Sequence, residues 1–156
     1  MDSSLDETDR LLLGALQRDG RTSNKELANA VGLAPSTTHG RLKRLVDTGV
    51  LRGVHADVDP AALGVGLQAF VFLRLASHDR ESVASVWDQL CARPEVRSAY
   101  YLGGDDDLLV HVMARDARHL RDFVIDGVGS LAGIGRVRTE LLFQQHHSDV
   151  LPDYTD

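Results

Sequence analysis

Apolar positions recur at helical spacing through the first third of the chain and alternate through most of the remainder. In LDETDRLLLGALQRDG, the residues Leu5, Asp9, Leu12, Leu13 and Leu16 fall near one helical face, and Gly20 is a stop signal. SNKE, Ser23 to Glu26, matches a capping box, because the two side chains can satisfy each other's free backbone donors; it predicts a short helix ending near Gly32. A third helix begins at Pro35, a residue suited to a first helical turn, and runs to about Thr48, where Gly49 stops it. VLRGVHADVD then predicts a β-type connector, and DPAALG a turn or linker. Beyond it LQAFVFLRLAS reads as a strand, RESVASVWDQLCAR as a helix and VRSAYYLGG as a strand. LLVHVMAR, DARHLRDFVIDGVGSL and IGRVRTELLFQQ read as strand, helix and strand. The order β-α-β-β-α-β is the split-βαβ or ferredoxin-like arrangement. Two helices cover only one face of such a sheet, and apolar runs such as AFVFL predict that the other face packs on something, most simply a second subunit.

The first three helices have the spacing of a helix-turn-helix, which needs small residues where two short helices cross and a glycine in the turn. Leu27 and Ala28 supply the crossing, Val31 closes the second helix, Gly32 turns and Leu33 plugs the corner. In the third helix Thr38, Leu42, Leu45 and Val46 share one face, although Thr38 is polar where an apolar residue would fit better. The opposite face carries Ser36, Gly40 and Lys43, flanked by Thr37, His39 and Arg44. That face fits two readings, a DNA-contacting surface and the solvated side of a three-helix unit. Ala34 stands where a serine or threonine cap would add about 1 kcal/mol, and Gly40 costs the helix about 1 kcal/mol relative to alanine.

Composition narrows the choice. The 156 residues carry a net charge of −6, which by itself argues against nucleic acid, but the charge is unevenly placed. Up to Asp57 acids and bases balance, and between Gly32 and Arg52 the bases Arg41, Lys43, Arg44 and Arg52 face the single acid Asp47. Phosphate contacts need such a local stripe and not a basic protein. The acidic N-terminus MDSSLDETDR lacks an apolar core and predicts no secretory signal, and no apolar run is long enough to span a membrane. Cys91 is the only cysteine, so no intrachain disulfide can form, which fits the cytoplasm; it is expected in the core near Trp87.

YYLGGDDDLL, Tyr100 to Leu109, predicts a turn between strands with consecutive carboxylates. It reads either as a solvated hairpin or as a ligand turn, in which an aspartate meets an ammonium group and Gly103 and Gly104 admit a close backbone approach. Asp105 to Asp107 lack calcium-loop spacing, and His146 and His147, adjacent on an expected strand, point apart, so no metal site is expected. Tyr100 and Tyr101 are expected in the sheet or an interface. No nucleophile–base pairing or phosphate loop supports catalysis, so the chain is not expected to be an enzyme.

The residues LD..D, LQ.DGR.S, ELA..VGL, R.KRL...GV and DP..LG, followed by PEV at Pro94 to Val96, G..D at Gly104 to Asp107 and RT at Arg138 to Thr139, resemble the leucine-responsive/asparagine (Lrp/AsnC) regulator family over nearly the whole chain. The resemblance implies an α+β protein with a helix-turn-helix, winged-helix-like DNA-binding domain over 1–52. A β-type linker follows over 53–66, then a ferredoxin-like effector-binding and oligomerisation domain over 67–145 and a tail over 146–156. It implies double-stranded DNA, an amino acid or related small-molecule effector, and a homo-oligomer, dimeric and often octameric, as partners. By matching position the DNA-contacting residues are Ser36, Thr37, Thr38, His39, Gly40, Arg41, Lys43 and Arg44, with Arg41 read either as a phosphate contact or as a buried ion-pair partner. The effector residues are Leu102, Gly103, Gly104, Asp105, Asp106, Asp107, Glu140 and Leu141. The family often has an aromatic residue where this chain has Asp106, which turns the expectation towards a basic or polar ligand, or none. Two other roles fit the same pattern: a co-regulator that controls ring assembly of a paralogue, and a ligand-binding ferredoxin-like module.

Overall fold

The computed structural model describes residues 5–154. The chain forms two compact units: the described residues up to Asp57 together with those from His146 onward, and Val58–Gln145.

The first unit is built on α1 (Glu7–Arg18), α2 (Asn24–Val31) and α3 (Pro35–Asp47). Two capping boxes start it. Asp6 and Asp9 reciprocate at α1, and Ser23 and Glu26 do so at α2, as SNKE predicts. Gly32 ends α2 in the left-handed conformation, φ 67°, where a Cβ would be strained. Leu33 N–H then returns to the Ala28 carbonyl at 2.9 Å and closes the corner. Leu12, Leu27, Ala28, Thr38 and Leu45 form the fully buried centre, whereas Val46, expected beside them, is 54% exposed. Residues 53–59 run without regular pairing, so the predicted β-type connector is irregular chain, and Pro60–Leu63 closes it as a short 3-10 helix. The C-terminal segment returns to α1: Leu151 N–H donates to Gln17 Oε1 at 2.7 Å. His146 and His147 lie past the last strand, exposed, and not on it as the periodicity implies.

The second unit has the predicted β-α-β-β-α-β order: β1 (Leu67–Leu75), α4 (Arg80–Cys91), β2 (Val96–Tyr101), β3 (Leu108–Ala114), α5 (Ala117–Asp122) and β4 (Ile134–Leu142). The helix α5 continues as a turn of π-helix over Phe123–Val128. The sheet order is β2-β3-β1-β4, antiparallel throughout. Alternation sends Ala69, Val71, Leu73 and Leu75 of β1, with Leu108, Val110, Val112 and Ala114 of β3, onto Val86 and Leu90 of α4 and Leu120, Phe123 and Val128 beyond. Cys91 does not join this core. It follows the buried Val86–Leu90 stripe by one residue and so turns outward, exposed.

The other sheet face carries Phe70 and Phe72 of β1, Leu109, His111 and Met113 of β3, and Arg138 and Glu140 of β4. The Arg138 guanidinium lies 3.9 Å from the Phe72 ring centroid, and His111 Nε2 lies 2.8 Å from Gln68 Oε1. Burial, and then the Arg97 charge, hold His111 below the usual histidine value.

Candidate DNA interface and effector site

The turn at Gly32 sets α3 against α2, and the Asn24 side chain fixes the junction by donating to the Pro35 carbonyl at 2.9 Å. Of the eight candidate DNA contacts, Ser36, Thr37, His39, Gly40, Lys43 and Arg44 are exposed on α3. Thr38 is not. It is fully buried, its hydroxyl donating to the Ala34 carbonyl at 3.2 Å, which is how a polar residue fits an apolar position. It is removed from the interface.

Arg41 and Arg44 converge on a carboxylate that the sequence reading placed on the apolar face without a role. Asp9 has no solvent exposure. Its Oδ1 accepts from Arg41 Nη1 at 3.0 Å, and its Oδ2 accepts from Arg44 Nη2. Arg41 Nη1 also donates to Asp6 Oδ2 at 2.5 Å. Of the two readings of Arg41, ion pairing is the one the structure displays. The hydrogen bonds to Asp6 and then Asp9 hold its pKa above the ordinary arginine value, and Arg41 in turn lowers that of Asp6. Both arginines border a concavity of about 460 Å³ with Thr37 and Gly40. Lys43 donates to Asp47 at 2.5 Å, both side chains well exposed, so the pair is weak and easily exchanged.

In the second unit the aspartates of the turn diverge. Asp107 is buried: Leu75 N–H donates to its Oδ2 at 2.7 Å, and His78 Nε2 sits 2.8 Å from its Oδ1. The backbone hydrogen bond, followed by His78, outweighs burial and lowers its pKa. Asp106 instead accepts from Arg138 Nη2 at 2.9 Å, and Arg138 also contacts Glu140. The additional charge that the sequence assigns to this position is therefore neutralised by β4. Asp105, Gly103 and Gly104 are exposed, and a Cβ at either glycine would meet nothing within 4 Å among the described residues. Leu102 is half-buried, its N–H bonded to the Asp107 carbonyl at 2.8 Å. Glu140 joins the turn through Arg138, but Leu141 does not. It pairs with Ala69 and points to the opposite face, four strand positions or about 13 Å from Leu73, whose carbonyl receives Asp107 N–H.

The sequence reading missed a cleft of about 410 Å³ that adjoins this turn, lined by His78, Arg80, Val83, Ala84, Trp87 and Tyr101. These residues come from two separate stretches of chain, 78–87 and the end of β2, and only the Tyr101–Leu102 adjacency hinted at it. Tyr101 pairs with Leu108, so it faces the α4 side of the sheet. Among the described residues no cluster of three or more His, Cys, Asp or Glu is placed to hold a metal ion. No helix among them is long and apolar enough to cross a membrane.

A three-helix reader and a separate βαββαβ ligand-binding unit in one chain define a helix-turn-helix transcriptional regulator. Comparison with known proteins gives it a family. The Lrp/AsnC ligand-binding domain matches residues 68–151, and a winged helix-turn-helix DNA-binding domain matches residues 5–52. The HTH-type transcriptional regulator AldR of Mycolicibacterium smegmatis is 44% identical over 140 residues, covering 90% of this chain and 82% of that one. A transcriptional regulator of Neisseria meningitidis, solved as its L-Met complex, superposes with a TM-score of 0.88 at 31% identity, over 96% of this chain and 97% of that one. AsnC of E. coli superposes with a TM-score of 0.81 at 30% identity, over 90% and 93% of the respective chains. The chain belongs to the Lrp/AsnC family of DNA-binding transcriptional regulators.

Proposed function

We propose that this protein is a cytoplasmic, non-catalytic homo-oligomer that reads double-stranded DNA with α3 and is modulated by an amino acid at the turn between β2 and β3. The observation that carries the reading is the exposed polar face of α3, where Ser36, Thr37, His39, Gly40, Lys43 and Arg44 stand clear of the helical core. Ser36 and His39 reach base edges, while Lys43 and the arginines meet phosphates. Two copies of α3 in a dimer read half-sites of an imperfect palindrome. The helix-free sheet face, with Phe70, Phe72, Leu109 and Met113 half-buried, is the surface on which a second copy packs.

The effector assignment follows from which groups the fold leaves available. Asp106 and Asp107 already have partners, so Asp105 is the carboxylate that meets an ammonium group, with Gly103 and Gly104 admitting the effector backbone. The adjoining cleft offers Val83, Ala84, Trp87 and Tyr101 to a hydrocarbon or aromatic side chain. With Asp106 neutralised, an apolar amino acid fits this turn, in keeping with the L-Met bound to the Neisseria relative. Binding there shifts assembly and thereby DNA affinity, and DNA must shift effector affinity by the same factor.

The test is a thermal-shift screen of the intact protein against each proteinogenic amino acid, followed by DNA titration with the hits. An apolar or aromatic amino acid should raise the melting temperature and move the DNA curve, and Asp105→Asn should weaken both effects. If every amino acid leaves both measurements unchanged, the effector assignment fails.

A further inference from the structure

Gly40 has no explanation within the fold. It lies in the middle of α3, where glycine is among the least favourable residues. It is absent from the glycines with positive φ, so no backbone conformation requires it. A Cβ built on it meets nothing within 4 Å among the described residues, so no neighbour excludes a side chain. The space it leaves is outward, in the concavity also bordered by Thr37, Arg41 and Arg44. Thr37, Gly40, Arg41 and Arg44 stand at i, i+3, i+4 and i+7, one stripe of the helix.

We infer that this stripe is a seat for a DNA backbone phosphate and that Gly40 is where the backbone closes onto α3. The inference rests on the DNA-binding reading of α3 and deepens it. Each guanidinium has five N–H donors, and the contacts to Asp6 and Asp9 run through Nη1 of Arg41 and Nη2 of Arg44. The remaining donors are free to bind an anion without releasing the carboxylates, so the arginines arrive already oriented. The side chains of Arg41 and Arg44 retain 29% and 45% exposure, which leaves that approach open. The Thr37 hydroxyl, one turn earlier, supplies a neutral donor to the same anion. Asp6 and Asp9 thus have a positioning role, fixing two cations while cancelling part of their charge. That division separates a phosphate-holding stripe from the neighbouring Ser36 and His39, which are left for bases.

The experiment compares intact wild type, Gly40→Ala and Asp6→Asn by thermal melting and by fluorescence anisotropy on a duplex from the protein's own upstream region, across salt. Gly40→Ala should melt about 4 °C higher, because alanine favours the helix, yet bind every duplex about tenfold more weakly. Asp6→Asn keeps a good N-cap but frees Arg41 from one carboxylate, and should bind severalfold more tightly with a steeper salt dependence. A Gly40→Ala protein that binds like wild type would overturn the inference, and so would one that melts lower, since the glycine would then serve the fold. Wild type that binds no duplex would remove the DNA-binding reading itself, an outcome separable from either of these.

Discussion

Replacing Asp9 with asparagine removes the charge on which two helices converge. The side chain keeps its size, so the change isolates electrostatics from packing. Removing one partner of a fully buried ion pair typically loses about 3–5 kcal/mol, while an exposed pair is worth about 0–1 kcal/mol. Asp9 itself is sealed, but its arginine partners keep 29% and 45% exposure and can recover hydration. An intermediate loss of about 2–3 kcal/mol follows, a large share of the roughly 5–15 kcal/mol that holds a typical domain folded. Urea denaturation followed by the helical circular dichroism signal measures it, and the midpoint should fall while the slope stays constant. A partner variant, Arg44→Met, should couple: the double mutant should lose about 1 kcal/mol less than the sum of the single losses. A loss below about 0.5 kcal/mol for Asp9→Asn, the range of ordinary surface changes, would refute the clamp.

Other outcomes follow from the same geometry. Lys43→Ala should weaken binding to all duplexes alike and lower the slope of log affinity against log salt by about 1, because its contact with Asp47 is exposed and exchangeable. Thr38→Val should leave DNA affinity unchanged in anisotropy titrations, since the residue is buried beneath the reading face. Asp107 has a folded pKa below its ordinary value of 3.8, so it contributes stability that is complete above that pH and lost as pH falls through the lower folded value. Asp107→Asn should therefore be less stable than wild type in urea melts at about pH 7, and the gap should narrow as pH falls below 3.8. Asp79, whose cap of the α4 N-terminus lowers its pKa to about 2, loses its contribution in the same direction between 3.8 and about 2, so Asp79→Ala should flatten the acid limb of the melting curve.

Periodicity made the architecture legible because each element buries one face, and that face repeats at 2 or 3.6 residues. SNKE and the Gly32 turn were readable for a similar reason, since they are local chemistry whose partners lie within a few residues. The sequence failed where partners are distant. Asp9 in LDETD looks like one polar intruder on an apolar face, and its purpose emerges only when Arg41 and Arg44 arrive from α3, more than thirty residues later. The run Asp105 to Asp107 looks like one acidic patch, yet β4 neutralises Asp106 while Leu75 and His78 hold Asp107, leaving one carboxylate exposed. The cleft beside Trp87 and Tyr101 has no local signal, because its walls come from elements joined only by the fold. Cys91 shows the reverse error, an apolar residue that falls one position off the stripe that the core covers, and Leu141, expected at the turn, lies instead on the helix-side face opposite Ala69.

The most direct test of the whole account is a competition titration of the intact protein on labelled DNA from its own upstream region, with salt and unlabelled non-specific duplex both varied. The account predicts competitor-resistant binding that weakens steeply with salt and shifts when an apolar amino acid is added. Binding that non-specific duplex removes as readily as the unlabelled specific fragment does would contradict it.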